Sequence, residues 1–345
     1  MQIVYSDRHR AQEGRAELID GQLLPCFEKP ERAELVLEAV SAAGIGPVVA
    51  PSEHGRAPLE RIHTPAFLDF LEGAWDEWTA EHGDIDGLPL CWPTRSFRRD
   101  GRDRIPDAID GKLSYYSFDA ATPLTAGTWE AASSAVDVAL TGVDLLLAGE
   151  RGAFALCRPP GHHASADAYG GYCFLNNAAV AAEALRDGGV AKVAVLDVDY
   201  HHGNGTQVIF EARSDVVFAS LHGDPRQEYP YFLGYEDEQG TGEGLGASRN
   251  FPLPWGTGFD VWSSALDEAC RWIDGHAAEV VVVSLGVDTY EGDPISQFRL
   301  ATTDFPEVGR RIAALGRPTL FVFEGGYATE ALGVNVTGVL AGFGG

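Results

Sequence analysis

Three groups of residues in this 345-residue chain have types and spacing suited to chemistry. Asp199-Tyr200-His201 comes directly after an apolar run. Residues two apart in an extended segment point the same way, so one carboxylate and one imidazole can share a metal ion. A catalytic zinc takes three protein ligands and leaves a fourth position open. Asp288, just past another apolar run, is the natural third ligand. The bland alternative is a chance D-x-H with a strand-end aspartate acting as a cap; placement after two separate runs favours the metal. His162-His163 follows Pro159-Pro160-Gly161 and can be two more ligands, a solvated pair or a general acid/base pair. Filling one ion with all five side chains would leave little room for substrate. An acid/base role needs partners that fix each tautomer, and Asp197 and Asn204 flank the D-x-H motif. Ionised Asp197 on His162 would favour its imidazolium form, while neutral Asn204 would leave His163 able to accept a proton near pH 7. Tyr327 ends the turn Gly325-Gly326-Tyr327, in which two glycines let a phenol aim inward as a donor to a developing oxyanion. A second such turn at 170–172 makes Tyr172 or Phe174 a lining for an apolar channel, with ordinary core packing as the alternative.

These groups need a frame that brings them together. From about residue 150 the chain alternates short β-branched, apolar runs with helical patterns, the sequence form of a parallel sheet with crossover helices. The runs are 153–156, 192–196, 216–221, 280–285 and 319–323, with helices expected at 177–186, 261–273 and 305–315. After them come CRPPGHH, DVDYHHGNGT, HGDP, GVDTYEGDP and EGGY. Ligands in open α/β sheets bind outside the carboxyl ends of the strands, so five polar, Gly-rich segments converge on one rim. Towards the N-terminus, 3–5 and 48–50 read as further strands and 128–147 as a long amphipathic helix. Between 79 and 110 the pattern dissolves into Gly, Pro and charge, which reads as a functional or partner-ordered loop. A single domain over 1–345 is expected.

Composition narrows the partners. With 45% hydrophobic and 22% charged residues the chain is globular rather than disordered or fibrous. Lys plus Arg is 25 and Asp plus Glu is 51, a net charge of −26. Such a surface repels phosphate backbones, so nucleic-acid binding is not expected. It suits solubility, salt tolerance or the attraction of a cationic substrate. The five cysteines are scattered without a C-x-x-C pair, which points to neither a disulfide framework nor a thiolate zinc site. The opening MQIVYSDRHR lacks a signal-peptide layout, and no apolar run is long enough for a bilayer. A cytoplasmic protein with no membrane contact is expected.

Taken in order, PPGHH (159–163), DVDYHHGNGTQ (197–207), SLHGDP (220–225), SLGVDTYEGDPIS (284–296) and EGGY (324–327) resemble the zinc-dependent histone deacetylase superfamily, in particular its bacterial acetylpolyamine amidohydrolase branch. PCFE at 25–28 and GTWEAA at 127–132 extend the resemblance over nearly the whole length. It implies an arginase-like single α/β domain with a mostly parallel central sheet and helices on both faces. It implies one zinc held by Asp199, His201 and Asp288, His162 and His163 as the acid/base pair, and Tyr327 polarising the amide carbonyl. It implies a structural potassium ion near Asp197, Asp199, His201, Ser220 and Leu221, held largely by backbone carbonyls. It also implies a homodimer in which the 79–110 loop narrows the active site. Arginase relatives add an aspartate two residues after the motif histidine; Gly203 stands there, so a mononuclear site is expected. Polyamine enzymes place a carboxylate after the Tyr115-Tyr116 segment for the substrate's distal ammonium, and that register holds Ala121, with Asp119 nearby and Glu17 and Asp110 as other candidates. Tyr229 completes the expected substrate-binding set.

The reaction so implied is hydrolysis of an acetamide to acetate and a free amine. Three readings compete: deacetylation of small cationic polyamines such as acetylputrescine, acetylcadaverine or acetylspermidine; deacetylation of acetyl-lysine or another small acylated amine; and sensing of acetylated ligands without turnover. The acidic surface and narrowing loop favour the first, and the intact set of ligands, bases and tyrosine disfavours the third.

Overall fold

The computed structural model describes residues 1–93 and 104–345. Its first half carries β1 (Gln2–Val4), the antiparallel hairpin β2 (Glu17–Ile19) and β3 (Gln22–Leu24), α1 (Glu31–Ala42), β4 (Val48–Val49), α2 (Pro65–His82), α3 (Ile109–Tyr115) and α4 (Thr128–Leu147). The second half alternates more strictly. It runs through β5 (Gly152–Ala155), α5 (Asn177–Asp187), β6 (Val193–Asp197), α6 (Asn204–Phe210), β7 (Val216–Gly223) and β8 (Ser248–Leu253), then α7 (Phe259–Gly275), β9 (Val280–Leu285), α8 (Phe305–Ala313), β10 (Thr319–Phe323) and α9 (Thr329–Gly344).

Eight strands form one sheet in the order β4-β1-β5-β10-β9-β6-β7-β8, and every neighbouring pair is parallel. Side chains alternate between its faces. Ala153, Val193, Val195, Leu320 and Val322 pack towards α4 and α5, while Phe154, Ala194, Leu196, Phe321 and Phe323 pack towards the layer of α1, α7, α8 and α9. Both faces are covered, which is why the central strands are predominantly apolar; each buried Val, Leu or Phe contributes about 1.5–3 kcal/mol. The chain is a single α/β domain.

The five strands expected from the C-terminal half are five consecutive neighbours, β5-β10-β9-β6-β7, so their carboxyl ends share one rim. The helices that leave this rim are pinned to it. Asn176 caps α5 by accepting from Ala179 N at 2.9 Å, and its amide donates to Ala164 O at 2.9 Å, tying the helix to the segment after the histidine pair. The first turn of α6 is tied in the same way, Thr206 N donating to His162 O at 3.2 Å.

Two expectations are corrected. The irregular stretch is shorter than 79–110, because residues 79–82 complete α2 and 109–110 begin α3; residues 94–103 of it lie outside the described part. The sheet also has an eighth member, β8, at one edge.

Candidate active site

Asp199 and His201 follow β6, and Asp288 follows the adjacent β9. All three are buried, and their ligand atoms lie within 4.8 Å of one another. His201 Nδ1 is 3.0 Å from Asp288 Oδ2 and 3.4 Å from Asp199 Oδ1. Both Asp199 oxygens and one of Asp288 are held by backbone: His201 N donates to Asp199 Oδ1 at 2.9 Å, Tyr200 N to Asp288 Oδ1 at 2.8 Å, and Gly325 N to Asp199 Oδ2 at 2.8 Å. Glycine is required at 325, since a Cβ there would come within 2.5 Å of both Asp199 Oδ2 and Asp288 Oδ2. Burial and the Asp199 charge push Asp288 above the usual carboxylate range. Two carboxylates packed dry against each other in this way call for a cation, and with one imidazole they form a donor set that suits zinc.

The histidine pair stands beside this triad. His162 Nδ1 is 3.0 Å from Asp197 Oδ2, and His163 Nδ1 is 2.7 Å from Asn204 Oδ1. Burial alone would lower His162, but the Asp197 and Asp199 carboxylates outweigh it and raise it to about 10. Burial also acts on His163, and there the His162 and His201 charges reinforce it, holding His163 well below the ordinary histidine range. An acceptor at Nδ1 leaves the His163 lone pair on Nε2. Glu324, at the end of β10, holds the preceding turn by accepting from Gly161 N at 2.6 Å and His162 N at 3.2 Å. Tyr327 is set by Asp293, which accepts from Tyr327 N at 2.7 Å. Burial pushes the Tyr327 phenol well above its usual range, so it keeps its proton. A buried triad, a neutral imidazole and a protonated phenol meet at one rim.

A histone deacetylase domain model matches residues 26–343. The chain belongs to the histone deacetylase family. Its members are zinc-dependent hydrolases. Acetylpolyamine amidohydrolase 1 of Pseudomonas aeruginosa is 58% identical over 343 residues, 99% of each chain. Acetylpolyamine amidohydrolase of Mycoplana ramosa is 49% identical over 345 residues, 100% of each. A crystal structure of an acetylpolyamine aminohydrolase from Burkholderia pseudomallei superposes with a TM-score of 0.94 at 39% identity, covering 100% of this chain and 98% of that one.

Within this deacetylase fold the expected substrate-binding residues separate. Tyr172 meets Tyr327 edge-on at 5.6 Å, and Tyr229 meets His163 edge-on at 5.3 Å. Phe174 is buried in the core and stacks on Tyr169 at 5.3 Å. Asp110 is not among the clustered residues: it sits on α3 and pairs with His82 at 3.1 Å. Glu17 is fully buried beside Tyr172, accepting from Phe27 N at 2.9 Å, and burial raises it to about 7. Asp119 offers no free oxygen to an ammonium, since four donors occupy its carboxylate. Of the residues expected around potassium, Asp197 and Ser220 are register partners on β6 and β7, and Ser220 Oγ lies 2.8 Å from His222 Nδ1.

Sequence reasoning passed over a buried ionic support. Arg32 of α1 donates to Gly326 O at 2.7 Å and Glu324 O at 2.6 Å, and its guanidinium lies 4.6 Å from the centre of the Tyr327 ring. Glu28 receives both Arg32 at 3.0 Å and Arg158 at 2.8 Å. The one signal for it was PCFE at 25–28, which contains Glu28. Phe118, edge-on to His163 at 6.5 Å and stacked on Tyr229 at 6.2 Å, was also missed.

Proposed function

We propose that the protein hydrolyses the acetyl amide of small acetylated polyamines, with N-acetylputrescine, N-acetylcadaverine and acetylspermidine as the substrate class. Asp199, His201 and Asp288 would hold one zinc ion, whose Lewis acidity polarises a carbonyl and lowers the pKa of bound water towards about 7. His163 takes the water proton on Nε2, because Asn204 occupies Nδ1 without charging the ring. The water oxygen bonds to the acyl carbon, and Tyr327 donates its hydroxyl hydrogen to the carbonyl oxygen as that atom gains charge. The C–N bond then breaks, and the histidine pair returns a proton to the leaving nitrogen, releasing acetate and free amine. Asp197 holds His162 cationic beside this centre.

The observation that carries this reading is the unequal pairing of the two histidines, one on a carboxylate and one on a neutral amide, beside a buried carboxylate-rich triad. The names of the full-length relatives support the polyamine substrate. We further assign a structural potassium ion to the neighbourhood of Asp197, Asp199, His201, Ser220 and Leu221, held largely by backbone carbonyls and supported by the β6–β7 register. A cytoplasmic homodimer completes the proposal. Among the described residues no helix is long and apolar enough to cross a membrane. Acetate release from N-acetylputrescine and from an acetyl-lysine peptide, compared as kcat/KM on the zinc-loaded protein, tests the substrate class. A preference for the peptide would overturn it.

A further inference from the structure

The half-buried carboxylate of Asp119 joins two aromatic residues of the site. Its Oδ2 accepts from Gly171 N at 2.7 Å and from the Tyr229 hydroxyl at 2.7 Å. Its Oδ1 accepts from Ala121 N at 3.2 Å and from the Thr122 hydroxyl at 3.0 Å, and Thr122 Oγ1 in turn accepts from Tyr172 N at 2.9 Å. A carboxylate has about four lone-pair directions, and all are taken.

What these bonds hold is unusual backbone. Gly171 has φ 57° and Tyr172 has φ 66°, and a non-glycine residue there needs its surroundings to keep it in place. Residue 171 must itself be glycine, because a Cβ would come within 2.2 Å of the His163 ring. The strained turn therefore presses against the proposed base on one side and presents Tyr172 to Tyr327 on the other. The same carboxylate fixes Tyr229, whose ring stands edge-on to His163 at 5.3 Å and to His201 at 6.0 Å.

We infer that Asp119 is a positioning residue: a clasp, completed by Thr122, that locks the Gly171–Tyr172 turn and the Tyr229 ring into a fixed slot and thereby selects an unbranched chain behind the amide. This rests on the deacetylase reading of the site, which makes the two tyrosines the walls of the substrate channel. Asp119 acts on substrate through those walls and not by meeting its ammonium.

Two measurements test it on the zinc-loaded full chain. The first is the affinity for hexanohydroxamate relative to acetohydroxamate, by calorimetry; the longer chain lies between the tyrosines and the shorter reaches the metal alone. Tyr229→Phe removes one hydroxyl and should lower this ratio about fivefold. Asp119→Asn, which cannot accept from all four donors, should lower it at least as much. The second is hydrogen exchange of the segment 169–173, which Asp119→Asn should accelerate about tenfold and Tyr229→Phe should leave as it is. An unchanged ratio in Tyr229→Phe overturns the inference, even if Asp119→Asn does not fold. Faster exchange in Asp119→Asn with an unchanged ratio overturns it too, reducing Asp119 to a brace for the turn. A wild-type chain that releases no acetate from N-acetylputrescine while both variants shift the ratio would refute the polyamine reading and leave the clasp standing.

Discussion

At the scale of single residues the site works by contrast. His162 and His163 are neighbours in sequence with rings 4.0 Å apart, yet Asp197 and Asn204 give them opposite protonation. A base must be unprotonated to act, so activity falls as pH drops through the pKa of His163. That group lies well below 6.5, and the acid limb of kcat/KM is expected below pH 6.5. Asn204→Asp places a carboxylate beside His163 Nδ1, raises this pKa and should move the acid limb to higher pH; a profile that stays in place contradicts the assigned base. Tyr327→Phe removes the neutral donor to the oxyanion and should cut kcat by about 10²–10³-fold with zinc content unchanged, read by turnover and metal analysis together. The metal-ligand grouping and the histidine partners were legible in the sequence because Asp199, His201 and Asp288 follow apolar runs and Asp197 and Asn204 flank the D-x-H motif. Asp119 was not: its chemistry suggested an ammonium partner, and nothing local revealed that Gly171 and Tyr229, 52 and 110 residues away, already claim it.

At the scale of elements, what matters is how closely the ends of neighbouring strands approach. Gly325, just past β10, donates to Asp199 and leaves no room for a Cβ against either carboxylate of the triad. Gly325→Ala should therefore weaken zinc binding by about 10–100-fold, the usual penalty for disturbing a ligand's support, measured by chelator competition. Metal affinity equal to the wild type would mean that β10 does not shape the site. β9, β10 and α4 match their expected bounds residue for residue, because runs such as 280–285 are apolar but for Ser284 and α4 buries a continuous helical face. β8 escaped notice because it includes Pro252 and lies at the sheet edge, where a proline is tolerated and the alternation is weak. α2 was missed although Phe67, Phe70, Leu71, Ala74 and Trp78 are all buried at helical spacing, so there the signal existed.

At the scale of the whole molecule, the net charge of −26 surrounds a site proposed to receive cationic amines. If that field steers substrate, kcat/KM for N-acetylputrescine should fall as salt is raised from 0.01 to 0.15 M, over which the Debye length shrinks from about 30 to about 8 Å. Neutral N-butylacetamide should be unaffected. Equal responses would assign the charge to solubility or salt tolerance. The buried Arg32–Glu28–Arg158 cluster belongs to this scale as well, since it unites α1, the start of the chain and the β10 turn beneath Tyr327. PCFE shows only its Glu28 end, because Glu28 and Arg158 are 130 residues apart and meet only once the sheet has formed.

The most direct test is acetate release from N-acetylputrescine by purified protein stripped of metal and then titrated with zinc, alongside Asp288→Asn. Turnover should rise in proportion to zinc, reach its plateau at one ion per chain, and be absent in the variant, which should also fail to retain the ion. Turnover that is the same before and after zinc is restored, or that survives intact in Asp288→Asn, would contradict a hydrolase built on Asp199, His201 and Asp288.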